Sequence, residues 1–209
     1  MDVQFYGANC VVFANRDIRV VVDDNLSELG GKSVAKPGDV LLYTQKHATA
    51  LAEPRMVIDM PGEYEISGLS ITGIAARAHM DEAGKVFTAT VYKLSFGDTT
   101  YLLTGHIYPE LTEDELEAIG IVDVMFVPVG GSGYTLDPVG ALKLVRAIEP
   151  KLVIPTHYAD GALTYPVPQQ DLSTALKEIG MEPKETISKL RIKPGEIGDV
   201  TQLIVVEKS

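Results

Sequence analysis

Apolar residues gather into short runs separated by Gly, Pro, Asn and Asp, a pattern that predicts strands and turns before it predicts long helices. Val3 to Tyr6, Cys10 to Ala14 and Ile18 to Val22, broken at Gly7 to Asn9 and at Asn15 to Asp17, predict an antiparallel meander. Leu26 to Lys36 reads as a loop, Val40 to Tyr43 as a fourth strand, and the small residues Ala48 to Ala52 as a short helix or turn. Further strands are expected at Arg55 to Asp59, Glu63 to Ile66, Leu69 to Ala78 and Val86 to Phe96, where β-branched, aromatic and small residues alternate.

Beyond Phe96 the pattern changes. Tyr101 to Leu103, Val122 to Val129 and Lys151 to Ile154 are short apolar runs of the kind that form strands buried on both faces. The segments between them read as helices. The first opens with a capping box, Thr112 to Glu115, and stops at Gly120; the second has Asp137 as N-cap, Pro138 at its first position and Pro150 just past its end. Such alternation builds a layered α/β half whose ligands gather at the carboxyl ends of the strands. A Pro-rich connection, Tyr165 to Gln170, leads to a helix at Leu172 to Ile179 stopped by Gly180, and Thr201 to Val206 predicts a closing strand. No repeat, low-complexity tract or linker interrupts the chain, so residues 1–209 read as a single domain.

Composition narrows the function classes. At 209 residues and 45% hydrophobic, the chain is long enough for one well-buried core. A net charge of -11 argues against nucleic acid as a partner, because non-specific binding needs Lys and Arg to neutralise phosphates. The single cysteine, Cys10, lies in an apolar strand run; it excludes an internal disulfide and an all-cysteine metal site. No basic, apolar leader and no bilayer-spanning stretch is present, which predicts a soluble, cytoplasmic protein with no membrane partner. A small-molecule substrate is the expected partner, and homo-oligomerisation stays open.

The chemistry concentrates in four histidines. His47, His79, His106 and His157 each follow an apolar strand run at its carboxyl end. Convergence on one rim would make a site, since neutral imidazole is a common ligand for zinc and similar ions; unrelated strand-end positions are the bland alternative. Asp23 and Asp24 close the third strand, where a turn role and a place near the site weigh equally. The loop Gly130, Gly131, Ser132, Gly133 lacks a P-loop lysine and reads as a tight turn.

These residues resemble the metallo-β-lactamase superfamily, and within it the short ascorbate-6-phosphate-lactonase-like metal-dependent hydrolases. The likeness runs through YGANC, IRVVVDD, DVLLYTQKHATA, PGEYEISGLSITGI, LTEDELEAIGIVDVMFVPVGG and PKLVIPTHY, nearly the whole chain. It implies an α/β fold, a four-layer αββα sandwich with metal along one edge of the paired sheets, and hydrolysis by a metal-bound hydroxide. The first family motif, His-x-His-x-Asp-His, stands here as Gln45, Lys46, His47, Ala48, Thr49, Ala50, and the metal-bridging Asp matches His106. Thr49 and Ala50 remove two ligands of a second metal, so the resemblance implies an atypical, mononuclear centre built from His47, His79, His106 and His157. Zinc is the expected ion, with iron, manganese or another divalent ion as alternatives. The expected activity is hydrolysis of a small ester, lactone or phosphorylated compound. The alternative is a non-catalytic member of the fold, a binding or scaffold protein with a structural metal or none. Gln45, Thr49 and Tyr158 are candidates to orient the imidazoles.

Overall fold

The structure is a computed structural model and describes residues 1–46, 53–80, 87–133, 135–192 and 197–209. The first half is β-rich, as expected: β1 (Asp2–Gly7), β2 (Cys10–Ala14), β3 (Arg19–Val22), β4 (Val40–Leu42), β5 (Met56–Ile58), β6 (Gly62–Ile66), β7 (Leu69–Arg77), β8 (Thr88–Phe96) and β9 (Thr99–Leu103). The second half alternates: α1 (Glu113–Ile119), β10 (Val124–Pro128), α2 (Pro138–Ile148), β11 (Leu152–Thr156) and α3 (Leu172–Ile179), followed by β12 (Pro183–Ile187), β13 (Leu190–Arg191) and β14 (Gln202–Val206).

Two sheets form. The six-stranded sheet runs β13-β1-β2-β3-β4-β5, with the predicted meander antiparallel and β3, β4 and β5 parallel. The eight-stranded sheet runs β12-β14-β11-β10-β9-β8-β7-β6, antiparallel from β6 to β9 and parallel from β9 onwards. Strand periodicity sorts the side chains between two cores. Val11, Phe13, Val20, Val22, Val40 and Leu42 enter the main core between the sheets, where Phe13 meets Tyr101 and Phe126 edge-on at 5.2 and 5.8 Å. Their neighbours Cys10, Val12, Val21 and Leu41 turn the other way, against Leu26, Leu29, Leu163 and Tyr165. Cys10 is therefore a buried, free thiol, as its apolar setting predicts.

The helices form where their caps place them. The Glu115 amide donates to the Thr112 hydroxyl at 3.2 Å while the Glu115 carboxylate accepts from the Thr112 amide at 2.6 Å, and the Gly140 amide donates to Asp137 at 2.6 Å. α1 and α2 pack on the eight-stranded sheet and α3 on α2. The result is the expected αββα sandwich; among the described residues, the outer layer over the six-stranded sheet is a single 3-10 turn, Leu26–Leu29, with the loops around it. β12 and β13 were not expected: Pro183, Lys184, Glu185 and Thr186 are exposed on an edge strand, so they lack the apolar alternation that reveals a strand. The expected helix or turn at Ala48 to Ala52 and the residue His47 lie outside the described residues. No helix among the described residues is long and apolar enough to cross a membrane.

Candidate metal and active site

The carboxyl ends of parallel strands from both sheets meet at one edge of the sandwich. Asp23 follows β3, Thr44 follows β4, His106 follows β9 and His157 follows β11, while Asn9 stands in the turn between β1 and β2. With Asn25, Tyr43, Gln45 and Lys46, they line a cavity of about 100 Å³.

His106 and His157 are brought together, their rings edge-to-face with centroids 4.4 Å apart. Burial, then the neighbouring His157 and His79, push His106 well below the ordinary histidine value. Burial also lowers His157, to about 4, against the hydrogen bond with Gln169 that favours its charged form. Both imidazoles are therefore neutral near pH 7 and keep a lone pair for a ligand or a proton. Asn9 Nδ2 lies 3.0 Å from His106 Nε2, and the Thr156 hydroxyl lies 2.9 Å from Asn9 Oδ1. His157 Nδ1 lies 3.2 Å from Gln169 Oε1, and the Tyr165 ring packs 4.9 Å from the imidazole.

The backbone around these side chains is unusual. Ala8, Asp23 and His157 hold φ of 48°, 48° and 53°, a left-handed conformation uncommon for residues with a Cβ. The His157 amide donates to the Ala8 carbonyl at 2.7 Å, tying two of them together across the sheets. Asp23 accepts from the Thr44 amide and hydroxyl, both at 2.7 Å. Gly105, at φ 57°, is the position where Thr44 comes so close that a Cβ would collide with it. Asp24 turns away from the cavity to accept from Ser33, Val34 and Ala35 and so anchors the following loop. The two carboxylates that looked equivalent in the sequence thus divide their roles, one in the cavity wall and one in a loop.

His79 joins through its backbone, its amide donating to the His106 carbonyl at 2.9 Å. His79 Nδ1 and His106 Nδ1 are both buried without a hydrogen-bond partner.

Residues 2–157 match the β-lactamase superfamily domain. The chain belongs to this superfamily. A UPF0173 metal-dependent hydrolase from Methanopyrus kandleri is 28% identical over 174 residues, 76% of this chain and 67% of that protein. Another from Archaeoglobus fulgidus is 33% identical over 147 residues, 68% of this chain and 61% of that protein. The aligned region thus spans roughly two thirds of either relative's length. The fold is shared with a provisionally assigned Zn-dependent hydrolase of the metallo-β-lactamase superfamily from Thermotoga maritima, with a TM-score of 0.74, 23% identity and coverage of 99% of this chain and 98% of that one.

Superfamily membership implies a divalent ion, and the donor chemistry here suits one. Neutral, buried imidazoles at His106 and His157, with the half-buried His79 ring beside them and its Nδ1 without a hydrogen-bond partner, are the ligand type that zinc and related ions take. Among the described residues no three His, Cys, Asp or Glu side chains are gathered closely enough to hold an ion by themselves. His47, the remaining histidine of the set, lies outside them.

Sequence reading missed Asn9, Thr156, Gln169 and the pairing of Asp23 with Thr44. Of the residues expected to orient imidazoles, Gln45 lines the cavity, Thr49 lies outside the described residues, and the Tyr158 ring packs 5.8 Å from Phe5. The glycine loop does turn tightly, with Gly131 and Gly133 both at φ 76°. Its first residue has a second role: a Cβ on Gly130 would overlap both Gln169 Oε1 and the His157 carbonyl.

Proposed function

We propose that the chain is a metal-dependent hydrolase with an atypical, mononuclear histidine centre, acting on a small ester, lactone or phosphorylated compound. The observation that carries this reading is the pair of neutral imidazoles, His106 and His157, in a polar cavity where parallel strands end. The metal-dependent hydrolases among its relatives support it. His79, His106 and His157 would hold the ion, with His47 the remaining histidine of the set. A bound divalent ion supplies Lewis acidity and lowers the pKa of water towards neutrality.

The chain's own residues set what reaches that place. A cavity of about 100 Å³ has room for the reacting end of a small substrate, since whole drug-sized ligands fill roughly 300 Å³ or more. Lys46, exposed at its wall, suits an anionic substituent such as a carboxylate or phosphate. Asp23 is held rigidly by Thr44 and presents a fixed carboxylate to the cavity, able to accept a hydrogen bond from a polar substrate group.

The test is elemental mass spectrometry of untagged protein purified without chelator, followed by a screen of lactones, esters and phosphoesters. About one zinc, iron or manganese per chain, lost in His106→Ala, is expected together with hydrolysis of one of these classes. No metal, and none taken up on titration, would sink the proposal. The non-catalytic reading would then stand.

A further inference from the structure

We propose that Gln169 is a positioning residue: it holds His157 in the Nδ1-H tautomer, so that the Nε2 lone pair is the one offered to the cavity. The orientation of the Gln169 amide is decided by its other end. Its Nε2 lies 3.2 Å from the Val167 carbonyl and 3.3 Å from the Pro168 carbonyl, two groups that only accept. Rotating the amide by half a turn would set its own oxygen against both carbonyls. Oε1 must therefore face His157 Nδ1, at 3.2 Å, and an oxygen can only accept there. The proton sits on Nδ1. In the neutral ring Nε2 is then unprotonated, and His157 is a cavity-lining residue.

Neighbouring contacts keep the amide in place. The Thr135 hydroxyl stands 3.0 Å from the same Oε1 and also reaches the Gly131 carbonyl. The Gln170 amide donates to the Gly130 carbonyl at 2.8 Å, and the Ala159 amide to the Gln170 carbonyl at 2.8 Å, so the segment is clamped between the glycine loop and the residues after β11. The missing Cβ of Gly130 is the space that Oε1 occupies. The glycine loop thus shapes the site through Gln169, by admitting its amide to the back of His157.

The tautomer follows from geometry alone; its use, as a metal ligand or proton acceptor at Nε2, rests on the hydrolase reading above. The test is long-range proton–nitrogen NMR of the nitrogen-15-labelled, metal-free chain at neutral pH, with His157 assigned by its absence in His157→Gln. The wild type should show a protonated, pyrrole-like Nδ1 and a pyridine-like Nε2. Gln169→Glu, whose carboxylate also accepts, should keep that signature, whereas Gln169→Met should lose it and weaken zinc binding by about 10-fold or more. A wild-type His157 protonated on Nε2, or an unchanged signature in Gln169→Met, would overturn the proposal. The wild-type spectrum decides even if Gln169→Met does not fold. A chain that binds no zinc yet shows the Nδ1-H signature and its loss in Gln169→Met supports the role of Gln169 while removing the metal reading.

Discussion

His157 carries consequences at the residue scale that can be measured without a substrate. Its value is 6.5 in an exposed chain and about 4 in the fold, so between these pH values the unfolded state binds the extra proton. Stability contributed by the neutral, buried ring is complete above pH 6.5 and is lost as the pH falls towards 4. The loss from this residue amounts to roughly 3 kcal/mol, and His106, shifted the same way, adds to it. Urea midpoints of metal-free protein should fall across that window, less steeply in His157→Gln; parallel profiles would show that burial does not hold the ring neutral. Gly130 gives a second residue-scale prediction. Gly130→Ala should cost about 2–3 kcal/mol, because the new methyl overlaps Gln169 and the His157 backbone. Gly133→Ala should cost only about 1–2 kcal/mol, from its positive φ alone, since open space surrounds it. Equal melting temperatures for the two variants would rule out the packing role of Gly130.

At the scale of elements, the strands that end at the site depend on helices whose starts are written locally. α2 joins β10 to β11, and its N-terminus is fixed by Asp137 accepting from the Gly140 amide. Asp137→Ala should lower stability by about 1 kcal/mol, with Asp137→Asn retaining most of it, because the asparagine oxygen still accepts. A thermal melt in which both variants lose equally would point to the charge of Asp137 instead of its hydrogen bond. The caps of α1 and α2 were legible because a cap and its partner lie within one turn of helix. β12 was not legible, because an exposed edge strand is specified by the β14 backbone it pairs with and not by apolar periodicity.

For the whole molecule, the decisive quantity is how binding at the sheet edge couples to folding. A ligand that binds only the folded chain raises stability by about 2.7 kcal/mol at a 100-fold excess over its dissociation constant. Added zinc should raise the melting midpoint of chelator-stripped protein by roughly 5–10 °C, and by much less in His106→Ala. A wild-type midpoint that ignores zinc, iron and manganese alike would mean that the imidazoles serve only to close the edge of the sandwich.

The sequence by itself determined most of the strands, the capped helices and the placing of His79, His106 and His157 just past strand ends, since periodicity and capping act between residues a few positions apart. Tertiary structure alone decided which polar residues meet. Asn9 reaches Thr156 across 147 positions and His106 across 97, contacts set by how the two sheets stack and leaving no trace in local pattern. Gln169 reads as one polar residue in a Pro-rich connection, and Gly130 as a turn glycine, until the fold lays one over the other behind His157. A lone side chain in a turn has no periodicity to betray it; its partner is chosen by the packing of distant elements.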